Sequence, residues 1–246
     1  MMKLQQLLKE IDCLKEEINT YRPLNEHMRQ QIKEYFRIGL TYSSNALEGN
    51  TLTETETKIV LEEGITIGGK PLSDHLEALG HSQAYDFLYE IIENRQITET
   101  IIKKLHRLFY YRINDEHAGQ YRSVQVYITG SKYPLPKPEM LAQLMSDFIQ
   151  KYQNIDGQEH PVRIAALMHK DFAYLHPFID GNGRVARLLM NLVLLQHGYT
   201  IALIPPLLRA EYSQALEKGR DDDSLFLALI AQVVKESQKD FIRLFK

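Results

Sequence analysis

Tryptophan is absent and cysteine occurs once, at Cys13, in a chain of 246 residues. A lone cysteine closes no internal disulfide and builds no multi-cysteine zinc site, so the composition suits a reducing compartment and a cytoplasmic location is expected. Excess positive charge is also lacking. Lys and Arg number 29 against 32 Asp and Glu, a net charge of -3. Such a surface does not coat a phosphate backbone, and nucleic acid is not an expected partner. Long apolar runs are missing as well. The longest, LLMNLVLL at 188–195, is broken by Asn191, far short of the roughly 18 residues of a membrane span. Lys3, Lys9 and Glu10 interrupt any signal-like stretch near the start, so no membrane partner or export signal is expected. No repeat or low-complexity linker divides the chain, which reads as one domain over 1–246.

Strand signals are scarce, and what fills the chain is helical periodicity. Leu4, Leu7, Ile11, Leu14, Ile18 and Tyr21 form an apolar seam at spacings of three and four. The seam packs onto its own domain or pairs two copies in a homodimer. Pro23 ends that helix, and a second is expected from Asn25 to about Leu40, with Met28, Ile32, Tyr35 and Phe36 inward. Further helices are expected over 54–63 and 73–93, from an N-cap at Thr98, from Pro138 and Pro161 at first helical positions, and over 207–218 and 224–245. One segment departs from this period. In GQYRSVQVYITGSKYPLP, Val124, Val126 and Ile128 alternate with more polar residues and Gly130-Ser131 offers a turn, the pattern of a short β-hairpin. The fold class is therefore all-α, mostly helical, with one short hairpin. A parallel sheet has too few strands to build on.

Chemistry concentrates in HPFIDGNGRVARLLMN, 176–191. A loop holding His176, Asp180, Gly181, Asn182 and Gly183 runs directly into a helix that carries Arg184 and Arg187 in its first turns. A helix start offers unpaired N–H groups and partial positive charge, and glycines let an anion approach them. Two arginines three apart can grip further phosphate oxygens. Asp180 beside phosphate is best explained as a ligand for the Mg²⁺ that accompanies a polyphosphate. His176 has the proton affinity of a general base for a hydroxyl. Other phosphate motifs fail. GITIGGK at 64–70 has Walker A spacing, but Pro71 stands at the metal-binding hydroxyl position and no strand precedes it. Gly181 to Ala186 fits G-x-G-x-x-A outside any βαβ unit. His169, seven residues before His176, has the wrong spacing for a zinc pair and reads as a core or supporting histidine.

HPFIDGNGRVAR resembles, without a mismatch, the HPFx(D/E)GNGRxxR signature of the Fic (Fido-fold) family, enzymes that mostly transfer AMP from ATP to a protein hydroxyl. GQYRSVQVYITGS is similar to the family's flap, and SNALEGN to its inhibitory (S/T)xxxE(G/N) helix, here around 41–50 within an N-terminal helical segment 1–96 that precedes a Fic core at 97–236. The resemblance implies an adenylyltransferase that uses ATP with Mg²⁺ or Mn²⁺, modifies a Ser, Thr or Tyr hydroxyl of a target protein and modifies itself. It implies His176 as base, Asp180 as metal ligand, and Gly181, Asn182 and Gly183 on phosphate oxygens. Arg184 would hold the triphosphate, Arg187 the γ-phosphate, and Ile128, Thr129, Gly130 and Ser131 the target segment. Glu48 would block the γ-phosphate site by pairing with Arg187. Tyr212, three after Arg209, is similar to the family's R-x-x-Y stretch near the adenine pocket, whereas Ser213 and Arg220 depart from it and leave base selectivity open. Two other functions stay open on the same residues: hydrolytic removal of AMP, or nucleotide sensing by a partner-binding module without transfer.

Overall fold

The computed structural model describes residues 2–94, 96–155 and 157–246. Among these, helices α1 (Met2–Thr20), α2 (Glu26–Leu47), α3 (Glu54–Glu63), α4 (Leu72–Glu90), α5 (Glu99–Tyr110), α6 (Leu141–Ile155), α7 (Pro161–Leu175), α8 (Asn182–Gln196), α9 (Arg209–Lys218) and α10 (Ser224–Arg243) carry the fold, with no strand. Local chemistry sets most boundaries. Asn25 caps α2 by accepting from the Met28 amide at 2.9 Å. Thr53 and Glu56 form a reciprocal capping box at the start of α3, and Thr98 caps α5. Pro161 takes the first position of α7 behind an N-capping His160, where a missing N–H costs nothing. Pro138 opens a single 3₁₀ turn, Pro138–Met140, from which α6 continues.

The center of the molecule is the α7–α8 hairpin. Val185, Leu188, Leu189, Met190, Leu192 and Leu194 are buried around α8, each worth about 1.5–3 kcal/mol when removed from water. The helix is thus held on nearly all sides, and the loop at its N-terminus inherits that rigidity. Helix α10 packs on α7 and on α1, α2 packs on α4, and α4 on α5, which in turn meets α8. The N-terminal seam is used inside the chain: Leu8, Ile11 and Ile18 are buried in the same core as α10's Phe241.

Three expectations need correction. Helix α2 does not stop near Leu40 but runs to Leu47, because Gly39, Leu40, Thr41, Ser43 and Ser44 pack against the core and only Gly49, at φ 102°, breaks the helical conformation. Tyr35 faces solvent, with 45% of its surface exposed, while neighbouring Phe36 is buried. The expected β-hairpin over 119–136 is an irregular loop with a turn at Ile128–Ser131, where the Ser131 amide bonds the Ile128 carbonyl at 3.1 Å. Side chains satisfy carbonyls that a ladder would have paired: Arg122 donates to Val124 and Pro136 at 3.1 and 2.6 Å, and Gln125 to Leu135 at 3.2 Å. Val124 and Ile128 alternate, yet both remain exposed, so no buried face rewards pairing.

Candidate active site

His176 ends α7 in the left-handed conformation, at φ 46°, with its amide still bonded to the Phe172 carbonyl. A non-glycine residue there is strained unless its surroundings hold it. Arg122 does so, donating from Nε to the His176 carbonyl at 2.9 Å while its own amide bonds the Pro177 carbonyl. His176 Nδ1 donates to the Ala173 carbonyl at 3.2 Å, which leaves the lone pair on Nε2. Burial, helped by the Arg122 charge, pushes the imidazole below its ordinary value of 6.5, against the hydrogen bond to the Ala173 carbonyl and the weaker pull of Glu48 and Asp180. The ring is therefore neutral at pH 7 with a free acceptor nitrogen.

The loop is closed by Asn182. Its side-chain oxygen accepts from the Phe178 amide and its nitrogen donates to the Phe178 carbonyl, both at 2.9 Å. The Asn182 side-chain amide thus fixes the geometry of the loop. Gly181 enters α8 at φ 76° with no side-chain cap, leaving the first-turn N–H groups for an anion. Asp180 projects outward, 58% exposed. One of its oxygens accepts from the Gly181 amide at 2.6 Å and the other approaches Arg184 at 3.4 Å.

The two arginines point to different partners. Arg184 is buried, lies over the Phe109 ring at 4.1 Å and pairs with Glu77 of α4 at 2.8 Å. Arg187, 2% exposed, donates from Nε to the Ser44 hydroxyl and from a terminal nitrogen to the Ser44 carbonyl, both at 2.9 Å. The same nitrogen reaches Glu48 at 2.7 Å, and the other reaches the Tyr212 hydroxyl at 3.2 Å. Tyr212 donates in turn to His169 Nε2 at 2.9 Å. Burial, together with the Arg187 charge, drives His169 down to about 3, so it stays a neutral acceptor that holds the hydroxyl in place. Tyr212 is itself buried and acts on Arg187.

Glu48 is the C-cap of α2. Its carboxylate lies over Gly183, where a Cβ would collide with it. Burial alone would raise the Glu48 carboxyl, but Arg187, Arg184 and Arg209 outweigh burial and hold it below its ordinary 4.5. The side chain keeps 37% exposure, so solvent reaches the carboxylate over the N-terminus of α8. The tip of the 119–136 loop is clasped by α9: Glu217 accepts from the Ser131 hydroxyl at 2.9 Å and from the Lys132 amide at 2.7 Å. Tyr133 donates to Asp221 at 2.8 Å, and Arg220 lies between the Tyr133 and Tyr174 rings.

Residues 96–194 match the model of the Fic/DOC family. Over that segment the chain carries a Fic/DOC domain. The protein adenylyltransferase Fic of Drosophila erecta is 34% identical over 223 residues, 89% of this chain and 44% of the relative. The Drosophila grimshawi protein of the same name is 35% identical over 217 residues. The chain thus spans less than half the length of those relatives. Among solved structures, Fic-1 of C. elegans (aa134–508) superposes with a TM-score of 0.90 at 28% identity, covering 99% of this chain and 73% of that one. A Fic domain containing signaling protein from Bacteroides thetaiotaomicron gives 0.83 at 28% identity, covering 96% and 95%. The all-helical fold agrees with both.

His176, Asp180, Gly183, Arg184, Arg187 and Glu48, residues that sequence reasoning singled out, come together around the N-terminus of α8. Ile128, Thr129, Gly130 and Ser131 form the tip of the loop clasped by α9. Sequence reasoning missed Arg122, Glu77 and His106. His106 stacks on Phe178 at 3.8 Å, donates to the Asp180 carbonyl at 3.1 Å and accepts from the Gly119 amide at 2.8 Å. Burial pushes it to about 3, so it bridges two loops as a neutral ring. Each of these residues lies on an element remote in sequence from 176–187, and no local spacing ties its side chain to that loop.

Proposed function

We propose that the chain is a protein adenylyltransferase whose α2 C-terminus acts as its own brake. The Glu48–Arg187 ion pair over Gly183, beside a histidine with a free Nε2, carries this reading. A nucleoside triphosphate sets its phosphates against the first-turn N–H groups of α8, with Arg184 and Arg187 neutralising their charge. The target hydroxyl attacks the α-phosphorus of ATP while its proton passes to His176 Nε2. The bond to the bridging oxygen breaks and pyrophosphate leaves. Positioning and charge neutralisation supply most of the acceleration.

Asp180 suits a magnesium ion as its single protein carboxylate. No group of three or more His, Cys, Asp or Glu that could hold a metal occurs among the described residues, and Mg²⁺ at such sites takes its remaining ligands from phosphate and water. When bound, the ion would supply neutralisation of phosphate charge. Asp180 is exposed and already oriented by the Gly181 amide, consistent with that duty.

Glu48 takes up the Arg187 donor that would otherwise grip the terminal phosphate, so ATP meets a site one cation short. The loop tip at Ile128–Ser131, with Val124, Tyr127 and Ile128 exposed, offers main-chain and apolar contact to a target segment next to His176. We assign the brake to 1–96 and the transfer chemistry to a core over 97–236. The test is incorporation of label from [α-³²P]ATP into the protein itself and release of pyrophosphate. His176→Ala should abolish both, and labelling that survives in this variant overturns the assignment of the base.

A further inference from the structure

Glu77 has two oxygens and gives one to each side of the brake. Oε1 pairs with Arg184 of α8 at 2.8 Å, with side chains only 18% and 3% exposed. Oε2 accepts from Asn50 Nδ2 at 2.9 Å. Asn50 lies two residues beyond Glu48, and its amide bonds the Asn45 carbonyl at 3.1 Å, so it moves with the turn that presents Glu48. One helical turn earlier on α4, buried Asp74 reinforces the hold. Its carboxylate accepts from the Thr51 amide at 2.8 Å and hydroxyl at 2.6 Å, and its carbonyl accepts from Asn50 at 3.0 Å.

We propose that Glu77 is a positioning residue that latches the Glu48-bearing turn onto the phosphate-binding helix, coupling the brake to the occupancy of Arg184. The inference rests on the proposed role of Glu48. The physical link is competition for one carboxylate. While Arg184 faces Glu77, α4 bridges α8 and the 48–51 turn, and Glu48 is held over Gly183. A phosphate that draws Arg184 away removes that bridge and loosens the turn at the moment Arg187 is also needed. By reciprocity, a weakened latch makes Arg184 easier for nucleotide to recruit.

Two variants separate this from a merely structural ion pair: Glu77→Gln, which removes the charge shared by both sides, and Asn50→Ala, which leaves the Arg184–Glu77 pair intact. Each is made in the wild-type and the Glu48→Gly chain, with melting temperature as a folding check. Two readouts are taken: the initial rate of self-labelling from ATP, and amide hydrogen exchange over 44–52. Loss of the shared charge, or of the Asn50 bond to it, should speed exchange about tenfold and raise wild-type labelling about three- to tenfold in both variants. Neither variant should add more than about twofold once Glu48 is gone, since coupled residues are non-additive. Unchanged exchange in both variants overturns the latch. So does an equal fall in labelling for Glu77→Gln in both backgrounds, which would mean that Glu77 only orients Arg184. If exchange rises while Glu48→Gly itself fails to raise labelling, the brake falls and the tether between Glu77 and the turn stands. Asn50→Ala carries the test if Glu77→Gln does not fold.

Discussion

Replacing Glu48 with glycine removes one charged hydrogen bond, 2.7 Å long, from a guanidinium that keeps its two bonds to Ser44 and its bond to Tyr212. A bond to a charged group contributes about 1.5–3 kcal/mol. The carboxylate is 37% exposed, so solvent screening reduces this to about 1–2 kcal/mol. If that free energy is what productive ATP binding must overcome, the variant gains about 5- to 30-fold in the initial rate of self-labelling at subsaturating ATP. The same loss leaves the Arg187 charge, 2% exposed, without a counter-ion. The variant without nucleotide should therefore melt about 2–8 °C below wild type. ATP then supplies the missing negative charge, so saturating Mg-ATP should raise its melting temperature more than that of wild type. Labelling within about twofold of wild type, or equal ATP-induced shifts in the two proteins, would refute the reasoning, because the first quantity reads the blocked site and the second reads the bare cation.

Gly183→Ala makes a contrasting perturbation. Its Cβ must push the Glu48 carboxylate away and also lies 3.1 Å from Arg187. It fills the space a phosphate needs, so nucleotide affinity measured by calorimetry should fall about tenfold or more and labelling should not rise. The pH profile of labelling in Glu48→Gly should show an acidic limb below about 6.5, the ordinary histidine value. Burial and Arg122 lower His176, and the neutral base is lost only as pH falls through that lowered value. A limb above 6.5 would contradict this sign.

The site was legible in the sequence to the extent that it is contiguous. His176 to Arg187 form a loop and the first turns of one helix, so spacing alone places a histidine, glycines and two arginines at a helix N-terminus. Glu48 was legible only through the resemblance of its motif, since a lone glutamate at a helix end says nothing of an arginine 139 positions away. Arg122, His106 and Glu77 were not legible. Each acts through a contact between separate elements, Arg122 on the His176 carbonyl, His106 on the Asp180 carbonyl and Glu77 on Arg184. The hairpin expectation failed for a related reason. The alternation of Val124, Val126 and Ile128 is real, but alternation produces a strand only where another strand takes its carbonyls and a core takes one face. Here Arg122 and Gln125 take carbonyls instead.

By itself the sequence determined the helical class, the cap at Thr98 and the chemical inventory of the loop, because these depend on interactions within a few residues. Only the tertiary structure decided which charge each arginine meets. Arg184 and Arg187 stand three apart on one helix, yet α4 brings Glu77 to the first and α2 brings Glu48 to the second. Their packing on α8 turns two guanidinium groups, proposed to bind phosphate, into two paired ones.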